Sequence, residues 1–177
     1  MRLVTVVVLS IAAMGSSVSA SKSAPAPFEG SWLRCDSNAG YRLCSYARTT
    51  QRGKRVCGVE GYVATNSVYQ TRFVGTAEGI SVRIDKICGR PGSETDTHCG
   101  DQASRDPGPG EKVGWGTSRN IFHVCKDRLH SRPGDQPFDC ATAIRDAGMT
   151  KVRRLPKGDG PDEIERAWLV SCTAGRE

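Results

Sequence analysis

Hydrophobic and polar residues alternate in short runs along much of the chain, and the clearest run spans residues 79–88. Ile80, Val82 and Ile84 occupy one set of alternate positions, and the positions between them are polar or charged. A period of two places successive side chains on opposite faces of a β-strand. The run therefore predicts a strand buried on one face, and the break in alternation at residues 86–87 predicts a β-bulge.

Similar but weaker runs predict further strands, separated by turns rich in glycine, asparagine and serine. These runs are residues 31–35, 41–47, 55–64, 67–74 and 121–126. A closing strand is expected near the C-terminus, where Trp168, Val170 and Cys172 would share one face. Residues 89–120 are rich in glycine and proline, so we expect no regular element longer than a few residues there.

Residues 138–147 carry the pattern expected of the single helix. Pro137 suits a first helical position, and Gly148 is a typical stop. Four residues of low polarity fall on one stripe at helical spacing: Cys140, Ala141, Ile144 and Ala147. Short sequential strands with one late helix predict a mainly β, loop-rich domain built on an antiparallel sheet or a small barrel.

One short motif resembles a known family. Gly30, Ser31 and Trp32 are similar to the glycine-x-tryptophan with which lipocalin-type barrels begin. The resemblance covers these three residues and no other part of the family pattern. We therefore assign the chain to no family on this basis.

The first twenty residues have the three parts of a secretory signal peptide. Arg2 supplies the positive start, residues 3–13 form an apolar run, and residues 18–20 are the small residues that precede cleavage. The run is shorter than the roughly 20 residues needed to span a bilayer, and no later stretch approaches that length. We predict export to a periplasm or out of the cell, no membrane span, a flexible leader at 21–27 and a single disulfide-rich β domain at 28–177.

All eight cysteines follow the predicted signal, which favours structural disulfides in an oxidising compartment. No Cys-x-x-Cys occurs, so the usual zinc and redox motifs are missing. Cys88 and Cys99 bracket a glycine- and proline-bearing loop, and a Cys125–Cys140 bridge would join a strand to the predicted helix. The pairing of the other four is left open; they are Cys35, Cys44, Cys57 and Cys172.

The formal net charge is +6 at pH 7, and the basic residues are scattered. A positive protein favours acidic partners such as nucleic acid, anionic lipid or an acidic envelope component, but scattered charge is more typical of a solvated surface, and we do not expect nucleic acid as the partner. Four basic residues surround one predicted turn: Arg48, Arg52, Lys54 and Arg55. We interpret them as an ordinary charged turn, with a protruding basic hairpin as the alternative.

The densest group of possible metal ligands lies in one loop and comprises Glu94, Asp96, His98 and Asp101. Oxygen ligands with one imidazole would suit several divalent ions. No calcium-loop or zinc-protease motif is present, so we favour a polar turn and predict neither a metal nor another cofactor. A second acidic cluster at residues 159–165 lies among glycine and proline and is expected to be a solvated loop.

His123 and His130 bracket Lys126. Two histidines with a cation are the groups that general acid–base cleavage of RNA would need. A small basic ribonuclease using these residues is therefore the alternative functional hypothesis, although His123 also fits a sheet face and His130 a polar turn.

Trp115 lies in a glycine-rich loop and is expected to be an exposed anchor, whereas Trp32 and Trp168 are expected in the core. No serine-nucleophile motif occurs, so an enzyme is not favoured. The leading hypothesis is an exported, non-enzymatic binding protein, of hydrolase-inhibitor or immunity type, that recognises a protein partner or envelope component. Its loops would present Trp115 together with Arg90, Glu94, Asp96 and His98. A barrel enclosing a small apolar ligand is a third hypothesis.

Overall fold

The computed structural model describes residues 26–38, 41–64, 67–91, 93, 95–102 and 109–175. The predicted signal at 1–20, residues 21–25 of the leader, and Glu94 lie outside the described residues. Within those ranges the chain forms ten strands, a 3-10 turn at Arg145–Ala147 and one α-helix. The strands are β1 (Gly30–Asn38), β2 (Tyr41–Arg52), β3 (Arg55–Ala64), β4 (Ser67–Glu78), β5 (Ser81–Gly89), β6 (Thr97–His98), β7 (Lys112–Val113), β8 (Asn120–Cys125), β9 (Arg128–Pro133) and β10 (Met149–Val152), and the helix is α1 (Glu163–Thr173).

Eight strands form a closed antiparallel barrel, so the prediction of a mainly β fold with one late helix is confirmed. Their order around the barrel is β1-β2-β3-β4-β5-β8-β9-β10, and β10 pairs back with β1. Most neighbours therefore follow each other along the chain, as in up-and-down barrels. The two-residue strands β6 and β7 lie outside this ring and extend the sheet from β5 by parallel pairing. The bulge lies at Asp85, just before the predicted position.

The barrel interior holds the main hydrophobic core. Phe28 and Trp32 are almost fully buried in it, and Phe73 packs on Phe122 with ring centroids 5.0 Å apart. The Phe73 ring also lies over Gly58, where a Cβ atom would be 2.1 Å from it. A glycine in the middle of β3 is thus required by packing. The remaining members of this core are Ala47, Val56, Ala77, Val82, Ile84, Val124 and Leu129.

Helix α1 covers the outer face of β2, β3 and β4 with a second core. Leu169 and Cys172 pack there against outward-facing residues such as Val59. Beside this core Arg72 Nε donates to Glu165 Oε2 at 2.7 Å, and both side chains are buried. Two layers of apolar side chains therefore lie on opposite faces of the same strands.

Four disulfides join all eight cysteines, and both pairings expected from sequence are present. The other four cysteines pair within a hairpin and between barrel and helix. The bridges are Cys35–Cys44, Cys57–Cys172, Cys88–Cys99 and Cys125–Cys140. None of the described helices is long and apolar enough to span a membrane.

The predicted helix at 138–147 is wrong, because those residues form turns with one 3-10 segment. Ile144 is 61% exposed, and the Asp139 carboxylate accepts the N–H of Ala141 in a local turn instead of starting a helix. Isolated short helices are marginal without a packed apolar face. The segment has no such face to bury, so local turn geometry prevails.

The predicted closing strand is also wrong, because its residues belong to α1. Asp162 caps the helix by accepting the N–H of Glu165 at 3.0 Å. Leu169 and Cys172 are then buried at helical spacing, Trp168 is half-buried, and Val170 is 67% exposed. Ile80, expected on the buried face of its strand, is instead exposed in the β4–β5 turn.

Candidate functional site

The two ends of the barrel differ in chemistry. Strand directions place the β1–β2, β3–β4, β5–β8 and β9–β10 connections at one end, which we call the barrel mouth. The apolar core fills the opposite end, where the N–H of Phe28 donates to Gln51 Oε1 at 3.0 Å. Towards the mouth the interior becomes polar and opens into a cavity. One end of the barrel is therefore closed by packing, and the other is accessible.

Glu60 lies in the floor of this opening. It pairs with Ala47 on one side and Thr71 on the other, and Ala47 belongs to the interior core. Because directly paired residues face the same way, Glu60 and Thr71 also face the interior. A cavity of about 210 Å³ and a second of about 690 Å³ both include Glu60 and Thr71 in their walls, and we call the two together the mouth cavity.

The Glu60 carboxyl has little compensation within the protein. Thr71 Oγ1 donates a long hydrogen bond to Glu60 Oε1 at 3.4 Å. Within the described part of the chain, no basic side chain is ion-paired with it. Burial disfavours the ionised form and raises the pKa of Glu60 to about 7, although the hydrogen bond from Thr71 acts in the opposite direction. Glu60 can thus accept or donate a proton near neutral pH.

The inner part of the mouth cavity combines this carboxyl with an aromatic wall. Tyr62 and Tyr69 are paired across β3 and β4, and their rings stack with centroids 4.5 Å apart. Met149 and Ser45 also line it. A flat or aliphatic group could pack on the rings and Met149, while a hydrogen-bond donor or cation could reach Glu60.

The outer part is walled by the long β5–β8 connection. The backbones of Ile87 and Gly116 exchange two hydrogen bonds, of 3.0 and 2.8 Å, which hold this connection against β5. The Cys88–Cys99 disulfide restrains it further. The side chains that line this part include Asp96, Thr97, Lys112, Trp115, Arg119 and Asn120.

Trp115 stands at the rim, and 38% of its surface is exposed. Lys86 Nζ lies 4.7 Å from the centroid of its ring, and Trp168 lies 6.0 Å away. Burial, reinforced by the charge of Arg55, lowers the pKa of Lys86. Trp115 is therefore held by a cation and a second aromatic ring while one side remains open to solvent.

The other predicted binding residues do not gather at one place. Asp96 lines the outer cavity, but Arg90 is ion-paired with Asp162 and Glu165 beside α1. His98 is buried in β6, with Nδ1 3.7 Å from Glu111 Oε2. Glu94 lies outside the described residues.

Metal coordination finds no support among the described residues. The one group of three possible ligands there is Cys35, Cys44 and Asp159, and its two cysteines form a disulfide. Asp101 accepts hydrogen bonds from Arg72 instead. The acidic segment expected to be solvated is partly buried, because Asp159 is paired with Arg42 and Glu165 with Arg72.

His123 and His130 face each other directly on β8 and β9. His130 therefore lies in a strand, not in the turn expected from sequence, and it is only 3% exposed. Phe138 stacks on His123 at 3.9 Å between centroids and lies 5.6 Å from His130. Burial is the main cause that lowers the pKa of both rings, and the charge of Arg132 adds to it. The pair is thus neutral near pH 7 and partly covered.

Lys126 is exposed at the β8–β9 turn, and His123 Nδ1 shares a 2.8 Å hydrogen bond with Ser81 Oγ. His123 and His130 are neighbours, as the ribonuclease hypothesis requires, but Phe138 packs against both rings. This arrangement is typical of packed structural histidines.

Sequence reasoning missed the four residues that build the inner cavity: Glu60, Tyr62, Tyr69 and Thr71. A signal was present, since Glu60 alternates with Val56 and Gly58 in a predicted strand. However, Cys57, Val59 and Val63 make the other face equally apolar, so alternation alone could not show which face Glu60 shares with the core.

No protein-family model, curated protein or solved structure matches this chain. The chemistry of the site is therefore the basis of the functional argument.

Proposed function

We propose that the protein is an exported, non-enzymatic binding protein that holds a small organic ligand in the mouth cavity. The observation that carries the proposal is the position of Glu60, a half-buried carboxyl in the floor of an accessible cavity, for which the described residues supply no ion-pair partner. An ionised carboxylate in such a place is unfavourable unless a partner compensates it. A ligand with a cationic or hydrogen-bond-donating group would supply that partner.

The walls support a ligand that is partly apolar. The Tyr62–Tyr69 stack and Met149 offer hydrophobic contact, while Ser45 and Thr71 offer hydroxyl groups. Ligand sites commonly combine an apolar lining with a few placed polar groups. An amine or alcohol attached to a ring or a short chain fits this lining best.

Several features support a binding role over catalysis. The described lining of the mouth cavity contains neither histidine nor cysteine, the side chains that most often serve as general base or nucleophile. The ribonuclease hypothesis remains a prediction that the burial of His130 disfavours. Four disulfides favour an oxidising compartment and so agree with export by a signal at residues 1–20.

Recognition of a protein partner also remains a prediction. Trp115 and Asp96 lie at the rim of the mouth cavity, so a protein bound there would contact the same connection that walls the ligand site. We favour the small ligand because Glu60, the residue on which the proposal rests, faces the barrel interior and lines a cavity there.

Native mass spectrometry of protein purified from its own host, together with calorimetry on the apoprotein, would test the proposal. Phenethylamine and phenylpropionate are suitable probes, because they are similar in size and opposite in charge. We expect the amine to bind more tightly than the acid. Glu60→Gln should weaken amine binding by roughly 10- to 100-fold, the usual effect of losing one charged hydrogen bond.

Glu78→Gln is the matched control, because Glu78 is exposed at the far end of β4. It should leave binding unchanged. A protein without any bound small molecule that also ignores both probes would contradict the proposal, as would equal binding by wild type and Glu60→Gln.

A further inference from the structure

A second concave surface lies on the outside of the barrel, away from the mouth cavity. It runs between the outer faces of β1 and β2 and the segment that joins β10 to α1, and its volume is about 920 Å³. Of the described residues that line it, five are basic and none is acidic. We call it the basic groove, defined by Arg48, Arg153, Arg154, Lys157 and Arg166.

The positive charge of the basic groove has no neutralising carboxylate among the residues that the structure describes. In the described part of the chain, none of its five basic side chains forms an ion pair with a carboxylate. The two acidic residues of the adjoining segment are engaged elsewhere, Asp159 with Arg42 and Asp162 with Arg90.

Several other arginines of the protein are neutralised by neighbouring carboxylates. Arg34, Arg42, Arg72, Arg83 and Arg90 each lie within ion-pair distance of a carboxylate. The basic groove is distinguished by the gathering of five basic side chains around one concave surface. Concentrated charge of one sign in a concave surface raises the local concentration of the opposite ion.

Part of the groove is held in place before any ligand binds. Arg48 Nη1 donates to Ser31 Oγ at 2.9 Å, and Arg166 Nη1 donates to the Pro161 carbonyl at 2.7 Å. Each guanidinium keeps further N–H groups, because arginine carries five donors. Leu155 packs against the second core, and the N–H of Asp159 donates to the Pro156 carbonyl at 3.1 Å. The segment that joins β10 to α1 is thus held by the apolar contact of Leu155 and by the backbone hydrogen bond of Asp159.

We propose that the basic groove binds a soluble ligand carrying several phosphate groups. Guanidinium groups match phosphate oxygens with paired N–H donors, which makes arginine the preferred residue for such anions. The groove is much larger than a single phosphate, so its spaced cations fit a multiply charged ligand. This proposal does not depend on the function proposed for the mouth cavity, since the two share no lining residue.

Two other sources of phosphate fit the groove less well. The described residues that line it include no aromatic side chain, so they offer no surface for the base stacking that binds single-stranded nucleic acid. A flat bilayer would not enter a concave groove, whereas a short phosphate chain or a phosphorylated sugar would.

Calorimetric titration with tripolyphosphate and with inorganic phosphate would test this inference. We expect tripolyphosphate to bind more tightly and its affinity to fall as salt is raised, because salt screens these charges. The double substitution Arg153→Ser/Arg154→Ser should weaken binding by roughly tenfold or more. Both side chains are exposed, so the fold should be retained, which circular dichroism would verify.

The double substitution Arg52→Ser/Lys54→Ser is the matched control. It removes the same charge from exposed residues at the β2–β3 turn, outside the basic groove. Equal losses in the two double variants would overturn the proposal, because they would show a response to net charge alone. Absence of tripolyphosphate binding would overturn it too. The proposal would also be overturned if phosphatidylglycerol vesicles or an RNA oligonucleotide bound more tightly than tripolyphosphate and were not displaced by it.

Discussion

Replacing Glu60 by glutamine should change how the stability of the protein depends on pH. Burial raises the pKa of Glu60 from 4.5 to about 7 in the folded state. Between these two values the folded protein holds a proton that the unfolded chain has released. Stability therefore falls as pH rises through this window, because ionising Glu60 is easier after unfolding. Below pH 4.5 Glu60 is protonated in both the folded and the unfolded state, so its burial no longer lowers the stability through ionisation.

The size of this loss of stability follows from the shift in the pKa of Glu60. One pKa unit corresponds to about 1.4 kcal/mol, so the penalty above pH 7 has an upper limit of about 3 kcal/mol. Glu60 faces an accessible cavity, and water there screens part of the penalty, so we expect about 1–3 kcal/mol. Glutamine keeps nearly the same shape and does not ionise. The Glu60→Gln variant should thus be more stable than wild type at pH 8 by this amount and equally stable near pH 4.

Urea denaturation of the oxidised protein, followed by tryptophan fluorescence from pH 4 to pH 8, measures this directly. The difference in unfolding free energy between variant and wild type isolates Glu60, because every other titrating group is common to both. Glu78→Gln should show no such pH-dependent difference, since Glu78 is exposed. The reasoning is refuted if the difference between Glu60→Gln and wild type stays constant over this range.

Two further substitutions test the outer layer by urea denaturation. Arg72→Met should destabilise the protein by about 2–3 kcal/mol, because it removes the nearer of the two cations paired with the buried Glu165 carboxylate and leaves only Arg90, whose Nε lies 3.7 Å away. Arg72→Met/Glu165→Leu should recover much of the loss. No recovery in the double variant would contradict this explanation. Replacing the Cys57–Cys172 bridge by serines should lower the free energy of unfolding by about 2 kcal/mol more than replacing the Cys35–Cys44 bridge does. The reason is loop length, because Cys57–Cys172 closes 115 residues of chain and Cys35–Cys44 closes 9. Equal losses would show that loop closure does not govern the contribution of these bridges.

The strands were predictable where local pattern and tertiary environment agree. The prediction for residues 55–64 matches β3 (Arg55–Ala64), because turn residues bound it on both sides. The Cys88–Cys99 pairing was predictable because a short glycine- and proline-bearing loop brings its ends together. β9 and β10 were missed, since Arg128–Pro133 and Met149–Val152 are short and carry few apolar residues.

The helix was misplaced because local signals compete with packing. Residues 138–147 have helical spacing but no surface to cover, and Ile144 remains exposed. The alternation of Trp168, Val170 and Cys172 resembled a strand, yet Asp162 and the acidic residues of the first turn were available as helix-start signals. Burial of Leu169 and Cys172 on the outside of the barrel decided between the two.

By itself, the sequence determined the segmentation into short strands, the even set of cysteines and the local disulfide loops, because these depend on neighbours along the chain. Only the tertiary structure decided that β10 returns to β1 and closes a barrel. Closure turns Glu60 inward beside Tyr69, and Arg72 is paired with Glu165 at a separation of 93 residues. Arg153 has no carboxylate partner in the described part of the chain. Cavities and uncompensated charges depend on such distant contacts, because burial and ion pairing act through space and leave no periodic trace in the sequence.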